Sequence, residues 1–332
     1  MRAVVCEKLG LPSDLVVRDV PDPPEPGPGE IKVALAARGA QFVDVLMAAG
    51  EYQTKPPLPF IPGSEAAGEV IAVGPDVADF AVGDKVMTRH SPGAFAEMAT
   101  ISTSAALPVP DGMDLIQAAG FRSAYTTAYH ALVQRGRLQP GEVLLVHGAA
   151  GGIGLAAVQV GKILGATVIA TAGNDEKLAA VKANGADHII DLTVDNPRDS
   201  VRDQVKAATG GGVDVVLEIV GGQVFEGCLR ALNWRGTLVV VGFTSGEIAN
   251  MKTNYVLLKG VSVTGINWSN YRNEDPAWVR RVQDEIFDMC VQKKINMPIQ
   301  ATFPMEDVVK AFNIIRNREI RGKIVIRMGD EG

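Results

Sequence analysis

The stretch VLLVHGAAGGIGLAAVQVGKILGATVIATAGNDEK, residues 143–177, indicates a strand, a glycine-rich turn, a helix and a second strand. The turn carries the pattern Ala149-x-Gly151-x-x-Gly154 after a strand and before a helix, the context that a dinucleotide-binding fingerprint requires. Glycine lets the backbone approach a pyrophosphate, and the helix N-terminus offers N–H donors and a positive dipole end. A glycine-rich turn that binds nothing is the alternative. The residues predicted to contact the dinucleotide here are Gly151, Gly152 and Ile153.

The second strand ends in Ala172-Gly173, without the acidic side chain that binds the ribose 2′-hydroxyl of NAD. Asp175 and Glu176 follow, and either could be that ligand. We favour a simpler role, in which Asn174 caps the next helix and the two acids suit the positive end of its dipole. A small, uncharged pocket favours NADPH over NADH. The residues predicted to line it are Gly173, Asn174 and Lys177, with a solvated helix surface as the alternative for Lys177.

Composition narrows the class of protein. The chain has 332 residues, enough for two domains, and a net charge of −6 without a basic run, which argues against nucleic acid and anionic membranes as partners. The three cysteines are far apart, so neither a disulfide framework nor a cysteine-based zinc site is expected. No signal peptide or membrane-spanning run is evident, and a cytoplasmic location is the default expectation.

Three stretches of the chain differ in the type and order of their predicted secondary-structure elements. Residues 1 to about 120 contain short strands separated by Gly and Pro, which predicts a small β-barrel or sandwich. From about residue 125, strands alternate with helices, which is typical of a doubly wound parallel sheet of six strands. The elements after residue 267 are too few for a domain, so we expect them to complete the N-terminal one.

Several blocks follow one another in a familiar order: PFIPGSEAAGEVIAVGPDVADFAVGDKVM (residues 59–87), AYTTAYHAL, LLVHGAAGGIGLAAVQ, GADHIIDL, VVVGFTSGEI and RGKIVI. Together they resemble the zinc-free quinone oxidoreductase branch of the medium-chain dehydrogenase/reductase superfamily. The resemblance implies a GroES-like β-barrel catalytic domain of residues 1–122 and 268–332, and a Rossmann NADPH-binding domain of residues 123–267. It also implies a cofactor in the cleft between them and a homo-oligomer, which we take as a homodimer, often joined through the sixth Rossmann strand.

The residue types at the family's catalytic zinc position predict that no metal is bound. Zinc-dependent relatives carry Cys where this chain has Gln41, and Gly-His-Glu where it has Gly63-Ser64-Glu65. The four-cysteine lobe for structural zinc is also absent. The four histidines are scattered without ligand spacing: His90, His130, His147 and His188.

The resemblance also implies catalytic residues, each with a structural alternative. Gln41 would donate its amide to a substrate oxygen, or act as a polar helix cap. Asp44 would order the site near the nicotinamide, or be an exposed helix charge. Tyr52 would present its phenol to the substrate, or be a packing aromatic. Thr127 would lie near the nicotinamide, or bond its own helix backbone.

Further cofactor contacts are implied in the same way, and two departures limit them. Leu192 replaces a Tyr that many relatives place beside the 2′-phosphate, which weakens the preference for NADPH. Arg122 stands where relatives are apolar or small; it would be a surface charge, or would bind a carboxylate or phosphate such as that of a CoA thioester. The implied cofactor contacts are Phe42, Val220, Gly242, Phe243, Thr244, Ser245, Asn267, Trp268 and Lys323.

Without a metal, hydride transfer to an ordinary ketone lacks its main stabilisation, whereas a quinone or enone spreads the arriving charge. The sequence therefore predicts a metal-independent, NADPH-dependent reductase of quinones or other activated α,β-unsaturated carbonyls. A 2-enoyl-CoA or 2-alkenal reductase is the alternative within this chemistry. A protein that binds NADPH without catalysis is the alternative from another class.

Overall fold

A computed structural model describes residues 1–267, 274–292 and 294–328. The chain divides into two compact units. The barrel unit comprises Met1–Ser123 and Met297–Gly332, and the Rossmann unit comprises Ala124–Asn296. The first unit is therefore discontinuous, and the second unit lies between its two parts in the chain.

The barrel unit is built from short strands whose apolar residues face one core. Its strands are β1 (Arg2–Cys6), β2 (Leu15–Asp19), β3 (Glu30–Ala40), β4 (Ala66–Val73), β5 (Lys85–Thr88), β6 (Met98–Ser102), β7 (Ala106–Pro108), β14 (Ile299–Pro304) and β15 (Lys323–Arg327). Its helices are α1 (Phe42–Ala49), the first part of α2 (Leu115–Tyr129), and α9 (Val308–Arg316). The main sheet has the order β14-β15-β3-β4-β5-β7, with β6 also paired to β3. Strand β3 has 11 residues and pairs with β15, β4 and β6, and its inward side chains, such as Ile31 and Val33, are fully buried.

The C-terminal segment belongs to the barrel unit. Strand β15 runs antiparallel to β3, with Ile324 opposite Ala40. The return begins at Met297, however, and not at residue 268 as the sequence analysis predicted. The intervening helix, Pro276–Val291 (α8), joins the Rossmann unit because its apolar face is buried there. On that face Trp278 packs edge-on against the His130 ring, with ring centres 4.3 Å apart.

The Rossmann unit is a parallel sheet covered by helices. Its strands are β8 (Val143–His147), β9 (Thr167–Ala172), β10 (His188–Asp191), β11 (Val213–Glu218), β12 (Leu232–Val240) and β13 (Ser262–Gly265). Its remaining helices are α3 (Gly152–Ile163), α4 (Asp175–Ala183), α5 (Pro197–Thr209), α6 (Val224–Ala231) and α7 (Asn254–Lys259). The order β10-β9-β8-β11-β12-β13 reverses direction beside β8, which is where this architecture binds its ligand. The prediction of six parallel strands is confirmed.

Within the described ranges, no helix combines the length and the apolar character needed to cross a bilayer. The cytoplasmic location stays a prediction.

Candidate functional site

The fingerprint turn has the geometry of a pyrophosphate cradle. Strand β8 ends at His147, and α3 begins at Gly152 with Gly151 as its N-cap residue. A Cβ on Gly154 would lie 2.3 Å from the Gly148 carbonyl oxygen, so glycine is required for the helix to pack on the turn. A Cβ on Gly151 would meet nothing within 4 Å. The turn is therefore tightly packed at Gly154 and has free space at Gly151. These residues fit a dinucleotide phosphate.

The ribose end of this site follows the predicted arrangement. Asn174 caps α4, because its Oδ1 accepts a hydrogen bond of 2.9 Å from the backbone N–H of Lys177. Asp175 and Glu176 are exposed in the first turn of α4, where they suit the helix dipole. Gly173 has open space on its side-chain side. The cap at Asn174 is therefore present, and the roles of Asp175 and Glu176 toward a ribose stay predictions.

Two buried side chains that the sequence analysis did not assign join the strand ends beside this turn. His147, at the end of β8, and Glu218, at the end of β11, are in contact, with 2.7 Å between His147 Nδ1 and Glu218 Oε2. The other carboxylate oxygen, Oε1, accepts hydrogen bonds from the backbone N–H groups of Val220 (2.7 Å) and Gly221 (2.8 Å). Glu218 therefore ties the loop after β11 to the strand that carries the fingerprint.

The loop after β12 is bound to the same place. Val241 N–H donates to the Glu218 backbone oxygen at 2.7 Å, and Ser245 N–H donates to the Val220 oxygen at 2.9 Å. Thr244 N–H donates to the oxygen of Ile219 at 3.1 Å. Three of the residues that the resemblance assigned to the cofactor are thus brought together, and Gly242 and Phe243 lie in the same loop. Their contact with the cofactor stays a prediction. A strand-end His and Glu on neighbouring parallel strands was the signal that could have identified the pair.

Glu218 and His147 also lie near Cys228, and one ligand atom of each falls within 4.8 Å of the others. This group does not fit a metal ion. The carboxylate is already engaged by the imidazole and by two amides. Burial raises the pKa of the Cys228 thiol well above its ordinary value, whereas metal binding needs the thiolate.

The barrel unit holds a polar cluster at the N-terminus of α1. The backbone N–H of Gln41 donates to Asp44 Oδ2 at 2.9 Å, so the acid closes the first turn of the helix. Ser64 Oγ donates to Asp44 Oδ1 at 2.9 Å and accepts a hydrogen bond of 3.0 Å from Gln41 Nε2. We call Gln41, Asp44 and Ser64 the amide cluster. Gln41 occupies the N-cap position, but its side chain turns to Ser64 rather than capping the helix.

Asp44 is a buried acid and not the exposed helix charge that the sequence left open. Its residue exposure is 1%, because α1 packs this face into the core. Burial raises the pKa of Asp44 to about 7, while Ser64, Lys323 and the Gln41 backbone oppose that shift and Glu65 adds to it. An acid with this pKa can change its charge near neutral pH.

A buried ion pair adjoins the amide cluster in sequence. Lys323 Nζ lies 2.6 Å from Glu65 Oε1, with both side chains almost completely buried. Glu65 Oε2 accepts a hydrogen bond of 3.0 Å from the backbone N–H of Ser123. The pair joins β15 to the segment that precedes β4. Lys323 was predicted to approach the cofactor, and that role stays a prediction.

These residues do not fit the zinc site of metal-dependent relatives. Zinc prefers thiolate, imidazole or free carboxylate ligands in a tetrahedral set. Gln41 offers an amide nitrogen that is donating to Ser64, and the Glu65 carboxylate is neutralised by Lys323. The position is therefore occupied by a hydrogen-bonded polar network.

The remaining predicted residues have varied environments. Tyr52 and Phe42 are partly buried and pack against the barrel core, and their roles toward substrate and cofactor stay predictions. Thr127 is half-buried on α2, and Asn267 is exposed after β13. Trp268 lies outside the described residues.

Arg122 is not a surface charge. Its exposure is 7%, and Nη1 donates to the Ala105 backbone oxygen at 2.6 Å. The Ala105 carbonyl directly precedes β7, and it also accepts a hydrogen bond of 2.9 Å from the backbone N–H of Arg89. The alternative of a surface charge is therefore wrong.

Comparison with known proteins agrees with this architecture. Residues 27–111 match the family described as "Alcohol dehydrogenase GroES-like domain", and residues 152–284 match "Zinc-binding dehydrogenase". The chain is 39% identical to "Quinone oxidoreductase-like protein 2 homolog" of Nematostella vectensis, over 98% of this chain and 88% of that protein.

Two solved structures are similar over nearly the whole chain. The Escherichia coli quinone oxidoreductase, solved with NADPH, has a TM-score of 0.89 and 29% identity, and the alignment covers 98% of this chain and 100% of that chain. The CurK enoyl reductase has a TM-score of 0.87 and 27% identity, with 99% of both chains covered. The chain belongs to the zinc-free quinone oxidoreductase branch of the medium-chain dehydrogenase/reductase superfamily.

Proposed function

We propose that this oxidoreductase transfers hydride from NADPH to quinones or other activated α,β-unsaturated carbonyls without a metal. The amide cluster carries the proposal, because the family's zinc position holds Gln41 and Ser64 joined by a 3.0 Å hydrogen bond. Such a network offers hydrogen-bond donors but no Lewis acid. Acceptors that delocalise the arriving negative charge are the substrates for which fixed donors are sufficient.

Each member of the amide cluster has a defined part in this proposal. Ser64 donates to Asp44 and thereby directs its oxygen lone pair toward the amide of Gln41. Among the described residues the second N–H of that amide donates to no protein acceptor, and we assign it to the substrate oxygen. Asp44 holds the backbone of Gln41 at the start of α1, so it orients the donor instead of touching the substrate. NADPH supplies the hydride when bound.

The choice of NADPH is supported by the end of β9. Ala172 is buried there and Gly173 is open, while the acids at 175 and 176 serve the first turn of α4. The strand end therefore lacks the carboxylate that would repel a 2′-phosphate. The similarity to the E. coli enzyme solved with NADPH supports the same assignment.

The test is the oxidation of NADPH and NADH followed by absorbance, with benzoquinone and crotonyl-CoA as parallel acceptors. We expect turnover of benzoquinone with a preference for NADPH. Turnover with NADH alone would contradict the cofactor assignment. Tight NADPH binding without turnover of any activated acceptor would favour the non-catalytic alternative.

A 2-enoyl-CoA or 2-alkenal reductase is the second candidate, supported by the similarity to the CurK enoyl reductase. Arg122 is the residue that the sequence predicts to recognise a CoA phosphate in such an enzyme. Its bond to the Ala105 oxygen removes one of its donors from that role. A higher kcat/KM for crotonyl-CoA than for benzoquinone would nevertheless support this candidate.

We also propose that the protein forms a homodimer through the edge of the Rossmann sheet. Strand β13 is the last strand in the sheet order, and α7 beside it exposes 82% of Leu257 and 75% of Leu258. An open strand edge with neighbouring apolar side chains suits a second copy of the same chain. The mass in solution, measured by light scattering for wild type and Leu257→Asp, tests this; a wild-type monomer would contradict it.

A further inference from the structure

The loop after β5 is held against the segment that carries the amide cluster. Strand β5 pairs with β4 so that Thr88 lies opposite Ala66. Beyond the loop, Ala94 N–H donates to the Gly63 oxygen at 3.3 Å, and Phe95 N–H donates to the Pro62 oxygen at 3.0 Å. Both ends of the loop 89–93 are thus fixed to residues 62–66, on either side of Ser64. This loop contains His90.

His90 has polar atoms that the described protein does not use. The residue is half-buried, but Nδ1 and Nε2 are both shielded from solvent and make no hydrogen bond within the described ranges. Buried polar atoms are nearly always bonded, because leaving them without a partner costs the full desolvation of the group. An orphaned imidazole therefore needs an explanation such as a ligand.

The charge state of His90 suits a neutral hydrogen-bonding role. Burial lowers its pKa to about 4, and the nearby Gly93 backbone partly opposes this shift without reaching hydrogen-bond geometry. At neutral pH the ring is therefore uncharged, with one N–H donor and one acceptor nitrogen. A neutral donor can hold a carbonyl oxygen of the substrate without attracting anions in general.

We propose that His90 is a further substrate-binding residue, which donates a ring N–H to the oxygen of the quinone or enone alongside Gln41. The inference rests on the proposed function and adds a second donor to it. Its basis is the place of the loop 89–93 beside Ser64, together with the two shielded and unbonded ring nitrogens. Two donors on one oxygen are the usual arrangement where negative charge develops on that atom.

The test compares His90→Phe, which fills the same space without polar atoms, with His90→Gln, which retains an N–H donor. In His90→Phe we expect kcat/KM for benzoquinone to fall roughly a hundredfold, the usual effect of removing one such donor. His90→Gln should recover part of the loss. NADPH affinity should be unchanged, and the melting temperature of His90→Phe should equal or exceed that of wild type, because an unsatisfied buried group is removed.

The matched control is His130→Phe. His130 is also a buried histidine whose pKa is lowered to about 4, but it lies in the Rossmann unit against Trp278. We expect His130→Phe to leave kcat/KM for benzoquinone within about twofold of wild type, since a residue outside the site should not affect transition-state binding.

A binding measurement separates this inference from the proposed function. The affinity of benzoquinone for the enzyme–NADP⁺ complex, which cannot react, should be weaker in His90→Phe by about tenfold, the effect of a lost hydrogen bond. If wild type reduces and binds quinone and His90→Phe equals it, His90 has no such role and the proposed function stands. If wild type neither reduces nor binds any quinone or enone, both are overturned.

Discussion

The candidate binding surfaces of the two units differ in whether backbone or side-chain atoms form them. In the Rossmann unit the surface is mostly backbone: glycines bring the chain close to a phosphate, and Gly151 leaves its side-chain space open. In the barrel unit the surface consists of buried side chains that are bonded in pairs, such as Asp44 with Ser64 and Lys323 with Glu65. A backbone site needs glycines, whose lack of side-chain atoms leaves room for the phosphate. A buried polar network needs every hydrogen-bonding partner to be present. The two should therefore respond differently to substitution.

The largest effect should come from valine in the fingerprint turn. In Gly154→Val the new Cβ would lie 2.3 Å from a carbonyl oxygen of the rigid turn, so the helix must move. We expect loss of measurable NADPH binding and a free energy of unfolding lower by roughly 3 kcal/mol or more, as for other overpacked buried sites. Calorimetry and NADPH titration measure both quantities.

Gly151→Val is the matched control, because its Cβ meets nothing within 4 Å. The melting temperature should stay within about 2 °C of wild type, the range of a surface substitution, while NADPH affinity falls. An equal loss of stability in the two variants would mean that Gly154 and Gly151 do not differ in the space available for a side chain.

The next effect concerns the buried ion pair of the barrel unit. Lys323→Met leaves the Glu65 carboxylate buried without its cation, and such a loss costs about 3 to 5 kcal/mol of folding free energy. Denaturant unfolding measures the change. The double variant Glu65→Gln with Lys323→Met removes both charges and should recover more than half of the loss. A single variant as stable as wild type would contradict the pairing.

A smaller effect is expected where a side chain supports the backbone site. Glu218→Gln keeps the shape but loses the charge that accepts from Val220 and Gly221, so the loop after β11 becomes less ordered. We expect the Kd for NADPH to rise about tenfold, equivalent to roughly 1.4 kcal/mol, with kcat nearly unchanged. A fall in kcat at constant Kd would exclude this positioning role.

The smallest effect is a pH dependence of stability. Burial raises the pKa of Asp44 from 3.8 to about 7, so the folded state binds this proton more tightly than the unfolded chain does. The resulting stabilisation is complete below the unfolded-state pKa of 3.8, and it is lost as the pH rises through the folded-state pKa of about 7. Asp44→Asn should therefore gain a few degrees, about 2 to 5 °C, over wild type as the pH rises through this window. If the melting temperatures of wild type and Asp44→Asn changed with pH by the same amount, the raised pKa of Asp44 would be contradicted.

Local features of the two units were predictable from the sequence, and contacts between distant residues were not. The fingerprint, the cap at Asn174 and the six parallel strands were predictable, because each depends on neighbours within a few residues. The place where the chain returns to the barrel was not, because the amphipathic pattern of α8 does not say which unit covers it. The burial of Arg122 was missed for a related reason: its partner is a backbone carbonyl 17 residues away.

The sequence by itself determined the fold class, the family and the absence of zinc-ligand residue types at Gln41 and Ser64, since these depend on residue identity and local spacing. Only the tertiary structure decided how polar groups are paired. It placed His147 beside Glu218, 71 residues apart, and Lys323 beside Glu65, 258 residues apart. The physical reason is that a buried charge or donor takes whichever partner the packed fold brings within hydrogen-bond distance, and sequence separation does not encode that distance.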